Sequence, residues 1–124
     1  MKLSQVIVFA KDVRRMRDFY TRALELTVIE ETEAADLVRL DAGGPVIFLH
    51  AIPEAVARGI VIDDPPRARA DNPIKLTFHT SDVGAARARL IEAGAQMSEP
   101  RCFDSIEICD GVDPEGNVFQ ISNR

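Results

Sequence analysis

Two histidines, His50 and His79, carry the side chain that changes charge nearest neutral pH, which makes them first candidates for proton transfer or metal ligation. Neither stands in a motif. Two neutral imidazoles rarely hold a metal without a carboxylate, and only Glu107, Glu30 or a residue of a central flap could be brought to them by folding. The plainer reading makes both of them hydrogen-bonding residues of a half-buried surface. Lys75, four residues before His79, is a cation that could attract a carboxylate, enolate or phenolate, or a stem that carries its charge out to water. Phe9 and Phe48 could stack on a planar ligand or simply fill space. Cys102 and Cys109 lack both a Cys-x-x-Cys spacing and a cationic neighbourhood that would activate a thiol. Arg14, Arg15 and Arg17, balanced by Asp18 and Glu25, read as a solvated helix face, and Asp113-Pro-Glu-Gly as a turn.

The elements that must position these residues come in two copies. Asp41-Ala-Gly-Gly-Pro-Val-Ile-Phe-Leu returns as Asp113-Pro-Glu-Gly-Asn-Val-Phe-Gln-Ile, with Gly44 over Gly116. Val6-Ile-Val-Phe-Ala-Lys-Asp-Val returns as Leu76-Thr-Phe-His-Thr-Ser-Asp-Val, with Asp12 over Asp82, at nearly the same offset. Two segments agreeing in this way mark a duplicated module. In the first copy, β-branched and aromatic runs predict strands over 5–9, 27–31, 37–40 and 46–51. Asp12 caps a helix whose Val13, Met16, Phe19, Tyr20, Ala23 and Leu24 face inward, and Gly43-Gly44 turns the chain into the last strand. The second copy predicts strands over 74–79, 96–97, 106–109 and 118–122. Its helix is capped by Asp82, carries Val83, Ala86, Leu90, Ile91 and Ala93 inside, and closes at Gly94.

Each module is therefore strand–helix–strand–strand–strand, an α+β arrangement. The expected organisation is one domain of two βαβββ repeats, 1–52 and 72–124, joined by a linker or flap over 53–71 that holds Pro53, Pro65 and Pro66, with Pro73 just beyond it and a little strand at 60–62. Period-two alternation sorts the strand side chains. Phe119 and Ile121, like Val6 and Val8, must pack on the helix. Gln5, Phe9, Phe48, His50, Lys75, Thr77, His79 and Gln120 take the opposite face. Two such sheets curling toward each other would enclose a cup lined by these eight residues.

Composition removes several functional classes. A net charge of −5 and a pI near 5.0 argue against nucleic-acid binding, which draws its affinity from clustered Lys and Arg. No apolar run approaches a membrane span and no signal-like stretch opens the chain, so a soluble cytoplasmic protein is expected.

Three segments together resemble the vicinal oxygen chelate superfamily of glyoxalases, extradiol dioxygenases and bleomycin or fosfomycin resistance proteins. These are Asp12-Val-Arg-Arg-Met-Arg-Asp-Phe-Tyr-Thr-Arg-Ala-Leu-Glu-Leu, Ser81-Asp-Val through Glu92-Ala-Gly-Ala, and Asp113-Pro-Glu-Gly-Asn-Val-Phe-Gln-Ile. The resemblance implies a curved, cup-like mixed sheet with helices outside, and modules that commonly pair across two chains, hence a homodimer. It also implies four metal-ligand positions, one on the first and one on the last strand of each module, which fall on Gln5, Phe48, Lys75 and Gln120. Only Gln5 is a ligand type used in the family. Phe48 has no donor, Lys75 is a cation, and Gln120 is neutral where a carboxylate is expected.

Two functions follow as expectations. One is a metal-free protein without cofactor, holding a small aromatic or anionic molecule against the eight face residues. The other is a glyoxalase- or dioxygenase-like enzyme with a relocated divalent metal, or with His and Lys acid–base chemistry. A third reading makes the curved sheet mainly a protein interface.

Overall fold

The computed structural model describes residues 1–124, and the chain divides into two compact units, Met1–Val61 and Ile62–Arg124. The first opens with β1 (Gln5–Ala10) and α1 (Val13–Arg22), followed by β2 (Thr27–Glu31), β3 (Leu37–Asp41) and β4 (Val46–Ala51). The sheet order is β1-β4-β3-β2, with β1 parallel to β4 and the other pairs antiparallel. The helix begins where expected, because the Asp12 carboxylate accepts from the Arg15 amide at 2.9 Å. Its stripe of Val13, Met16, Tyr20 and Ala23 is buried against a sheet face that supplies Ala10, Val38, Leu40, Ile47 and Leu49. Gly43 (φ 81) and Gly44 (φ 152) make the turn into β4, where the Asp41 carboxylate accepts from the Gly43 amide at 2.8 Å.

The second unit repeats this plan with β5 (Leu76–His79), α3 (Val83–Glu92), β6 (Gln96–Met97), β7 (Arg101–Phe103), β8 (Ile106–Val112) and β9 (Val118–Ser122). Its order is β5-β9-β8-β6, with β7 also on β8, and β5 runs parallel to β9 as β1 does to β4. Asp82 caps α3 through the Ala85 amide at 2.8 Å, and Gly94 leaves the helix at φ 91. Phe119 and Ile121 are buried on the helix side, as alternation requires. Both units have the α+β architecture expected of the repeated module.

Four local expectations need correction. β5 starts at Leu76 rather than at 74, because Asn72 accepts from the Ile74 amide in a turn behind Pro73, which leaves Lys75 just outside the strand. The second module has an extra strand, since Ser98-Glu99-Pro100 interrupts what would be one strand into β6 and β7; Pro100 has no amide to donate, and the Ser98 hydroxyl accepts from the Asp110 amide at 3.1 Å. Ile91 and Ala93 are exposed rather than inside, because Val83, Ala86 and Leu90 already complete the buried stripe of α3. The segment 53–71 carries no strand at 60–62 but a short helix, α2 (Glu54–Ala57), and it is shared between the units. Its later part is tied to the second unit: the Arg69 amide donates to the Gly116 carbonyl at 2.8 Å, and Gln96 donates to the Pro66 carbonyl at 3.0 Å.

Candidate functional site

On the first unit, the face away from α1 is built by β1, β4, β3 and β2. Register places Ile7 beside Phe48, Phe48 beside Arg39 and Arg39 beside Glu30 in one row, with Phe9 beside His50 and His50 beside Leu37 in the next. Of the four residues expected here, Gln5, Phe48 and His50 are half-buried and Phe9 is exposed. The rings form a connected wall: Phe9 and His50 meet edge to face at 5.7 Å between centroids, and His50 and Phe48 at 5.5 Å. His50 Nδ1 lies 2.8 Å from the Ala51 carbonyl. A carbonyl can only accept, so Nδ1 carries the proton and the neutral ring keeps Nε2 as an acceptor.

Arg39, which no motif singled out, stands in the middle of this face. Its Nη1 donates to Glu30 at 3.1 Å, while its Nε is buried and has no hydrogen-bond partner. Val38 and Leu40 fill the helix side of β3, so alternation leaves Arg39 no other face. Glu30 is thereby engaged with Arg39 rather than with either histidine.

On the second unit the open face gathers charge. Asp110 on β8 sits across from Gln120 on β9 and collects three donors: Lys75 Nζ at 3.0 Å, Gln120 Nε2 at 2.9 Å and Arg101 Nη2 at 2.6 Å. Thr77 is the register neighbour of Gln120, and His79 follows at the exposed end of β5. Partial burial works against the ionised Asp110, but the Gln120 and Lys75 hydrogen bonds and the charges of Lys75 and Arg101 outweigh it. Its carboxyl is held below the ordinary value of 3.8. Beside this cluster a pocket of about 230 Å³ is lined by Ala68, Gln96, Met97, Ser98, Asp110, Gly111, Val112 and Val118.

Each sheet thus brings its own four expected residues to one face: Gln5, Phe9, Phe48 and His50 on the first, Lys75, Thr77, His79 and Gln120 on the second. Asp110 and Arg101 belong with the second set and Arg39 with the first. The Asp110 position follows once alternation runs on through Gly111, because Ile106, Ile108, Asp110 and Val112 then share the face of Gln120.

Residues 5–122 match the model of the glyoxalase-like domain, and the chain belongs to that family, within the vicinal oxygen chelate superfamily. No curated protein matches it. Among solved structures it is similar to a glyoxalase/bleomycin resistance protein/dioxygenase family enzyme from Burkholderia phytofirmans, with 23% identity over 98% of both chains and a TM-score of 0.75. It is also similar to TnmS3, an antibiotic-binding protein from a Streptomyces species, with 18% identity over 98% of this chain and 93% of that one, TM-score 0.71. A lactoylglutathione lyase from Agrobacterium tumefaciens shares 18% identity over 98% and 92% of the two chains, TM-score 0.71. These likenesses establish the fold.

Metal-dependent members of the superfamily take ligands at the positions of Gln5 and Phe48 in the first unit and of Lys75 and Gln120 in the second, and neither pair fits a divalent ion. Phe48 offers no donor, while the Lys75 ammonium and the Gln120 amide both point their hydrogens at Asp110. An ion beside Lys75 and Gln120 would meet the Lys75 and Arg101 cations and find a single carboxylate, Asp110, already held by three donors.

Proposed function

We propose that this glyoxalase-like protein binds a small planar ligand on the open faces of its sheets without a metal ion or other cofactor. The donor set at the family's ligand positions carries this reading: an aromatic ring at 48 and an ammonium at 75 that spends its charge on Asp110. The connected rings of Phe9, His50 and Phe48 supply a surface on which a planar apolar body gains both burial and edge-to-face contact. On that face Gln5 supplies a polar contact, and the open face of the second unit carries its own polar set, Lys75, Thr77, His79 and Gln120. A fold neighbour that binds an antibiotic gives the reading a precedent in kind. The protein is expected to work as a homodimer in the cytoplasm; no helix is long and apolar enough to cross a membrane.

One observation favours the enzymatic alternative, in which the ligand is converted. His50 Nε2 is an acceptor held in a fixed orientation by the Ala51 carbonyl, as a general base needs.

The test is metal analysis of purified protein together with calorimetric titration of 2-naphthoate before and after chelation. The expected result is no stoichiometric divalent ion and the same affinity in both titrations. A stoichiometric ion, or binding lost on chelation and restored by metal, overturns the proposal.

A further inference from the structure

The two units place opposite charges at one equivalent position. Phe48 on β4 corresponds to Gln120 on β9, since Val46 falls on Val118 in the repeat. The cross-strand neighbour of Phe48 is Arg39, and that of Gln120 is Asp110. In the second unit the central acid is saturated by Lys75, Arg101 and Gln120. In the first unit the central base is not. Arg39 has a single acceptor, Glu30, through Nη1, and that pair is half-hydrated, with side chains 38% and 54% exposed. Such a pair is weak and easily exchanged.

What Arg39 lacks is an acceptor on its other edge. A guanidinium presents Nε and Nη2 as a parallel fork matching the two oxygens of a carboxylate, and Nη1 lies off that edge. Nη1 is the atom turned to Glu30, and Nε is the buried atom without a partner. A buried donor left unpaired is destabilising, and an incoming oxyanion would relieve that cost. The surroundings select what carries that oxyanion. Arg39 is flanked across the ladder by Phe48, beyond which Ile7 lies 47% exposed, and the Phe48–His50–Phe9 wall runs away from it. Because Nε is buried while Nη1 is held by Glu30, a ligand reaches the fork by exchanging that half-exposed ion pair and turning the guanidinium outward on its outer torsions.

Resting on the reading above that this face binds a planar ligand, we infer that Arg39 is its selectivity residue: it takes the carboxylate of an aromatic monocarboxylic acid through its Nε and Nη2 edge, while the ring lies on Phe48, His50 and Ile7. The charge preference of the protein then belongs to the first unit.

Calorimetric titration with 2-naphthoate and the matched neutral 2-naphthamide tests this on the wild type, Arg39→Gln, Arg39→Lys and Arg14→Gln. Arg14→Gln removes an equal charge from the exposed face of α1. Wild type and Arg14→Gln are expected to prefer the acid by about tenfold or more, in keeping with a charge-assisted fork. Arg39→Gln should bring the acid down to the amide, whose own affinity stays, and Arg39→Lys should recover only part of the preference because an ammonium has no fork. Amide binding by Arg39→Gln also shows that the variant is folded. Equal affinities in the wild type, or a preference that survives Arg39→Gln, overturn the Arg39 inference while planar binding stands. No binding of either probe overturns both. Backbone amide shifts in the wild type provide a second readout: naphthoate should move Arg39 and Phe48, and shifts confined to Lys75, Asp110 and Gln120 would overturn the assignment.

Discussion

Asp110→Asn removes the carboxylate that organises the second unit's open face while keeping its shape. The carboxylate accepts from Lys75, Arg101 and Gln120 at once; an amide has one acceptor oxygen, and its own NH2 would face donors. Lys75 and Arg101 would then confront each other with less between them. The magnitude follows from exposure. Asp110 is 22% exposed, but Lys75 is 38% and Arg101 52% exposed, so each ion pair belongs to the surface class and is worth at most about 1 kcal/mol. The Gln120 bond, made to an ionised acceptor, would cost about 1.5–3 kcal/mol if wholly lost, but the amide oxygen of the asparagine can still accept it, so only part of that is forfeited. The expected cost is about 1–2 kcal/mol at pH 7, a fall in Tm of roughly 3–8 °C for a chain of this size.

The pH dependence gives the sharper test. Asp110 titrates below the ordinary 3.8 in the folded state, so its ionised form stabilises the fold at pH values above the unfolded value. That contribution is lost as pH falls below 3.8 and through the lower folded value. Urea unfolding of wild type and Asp110→Asn should therefore show a constant gap from pH 7 to pH 5 that closes on acidification, and a smaller gap in high salt. A gap that persists unchanged in acid would refute the reasoning, as would one above about 4 kcal/mol, the scale of a deeply buried pair.

Gly116→Ala should be destabilising by about 2–4 kcal/mol, because the residue is held at φ 88 and the new methyl would collide with the Arg67 carbonyl; chemical denaturation showing a loss below 0.5 kcal/mol, a bound on the order of an ordinary surface change, would contradict this. Gly111→Ala should cost about 1–3 kcal/mol by pressing on the Phe119 ring and on Met97 Sδ at 2.6 Å, and thermal melts check it. Sedimentation at micromolar concentration should show a homodimer burying on the order of 1,200 Å² or more in total, and a monomer would count against it.

Where punctuation was strong, the sequence carried the fold legibly. Asp12 and Asp82 had their helices written beside them, and the Asp113-Pro-Glu-Gly-Asn turn led into β9 at the expected residue. Alternation did the rest for β3 and β4, where buried aliphatics occupy every second position. The failures share a cause, which is that they depend on pairing partners distant in sequence. The strand expected over 106–109 stops short of Asp110-Gly111, and only the ladder with β9 shows it running on to Val112. Its glycine is there because Phe119 and Met97 occupy the space a side chain would need. Arg101 became a site residue through β7, a strand hidden behind Pro100. Arg39 had no motif at all; an arginine inside a strand looks like an ordinary solvent-facing residue until its buried Nε is seen.

Duplication explains why both kinds of site residue lie where they do. A repeated βαβββ frame fixes which positions reach the centre of the open face, because register and alternation are properties of the backbone and of the buried aliphatics. It leaves the chemistry of those positions free, since nothing on the open face is needed to pack the helix. The two copies have used that freedom in opposite ways. In the second, the residues at the family's ligand positions, Lys75 and Gln120, are closed on Asp110, so a ligand arriving there must compete with three existing donors. In the first, the equivalent centre has a ring at 48 and a guanidinium at 39 whose fork is unfilled. A ligand gains more by completing an unsatisfied group than by displacing a satisfied one. The chemistry of binding is therefore expected to differ between two units that the backbone makes alike.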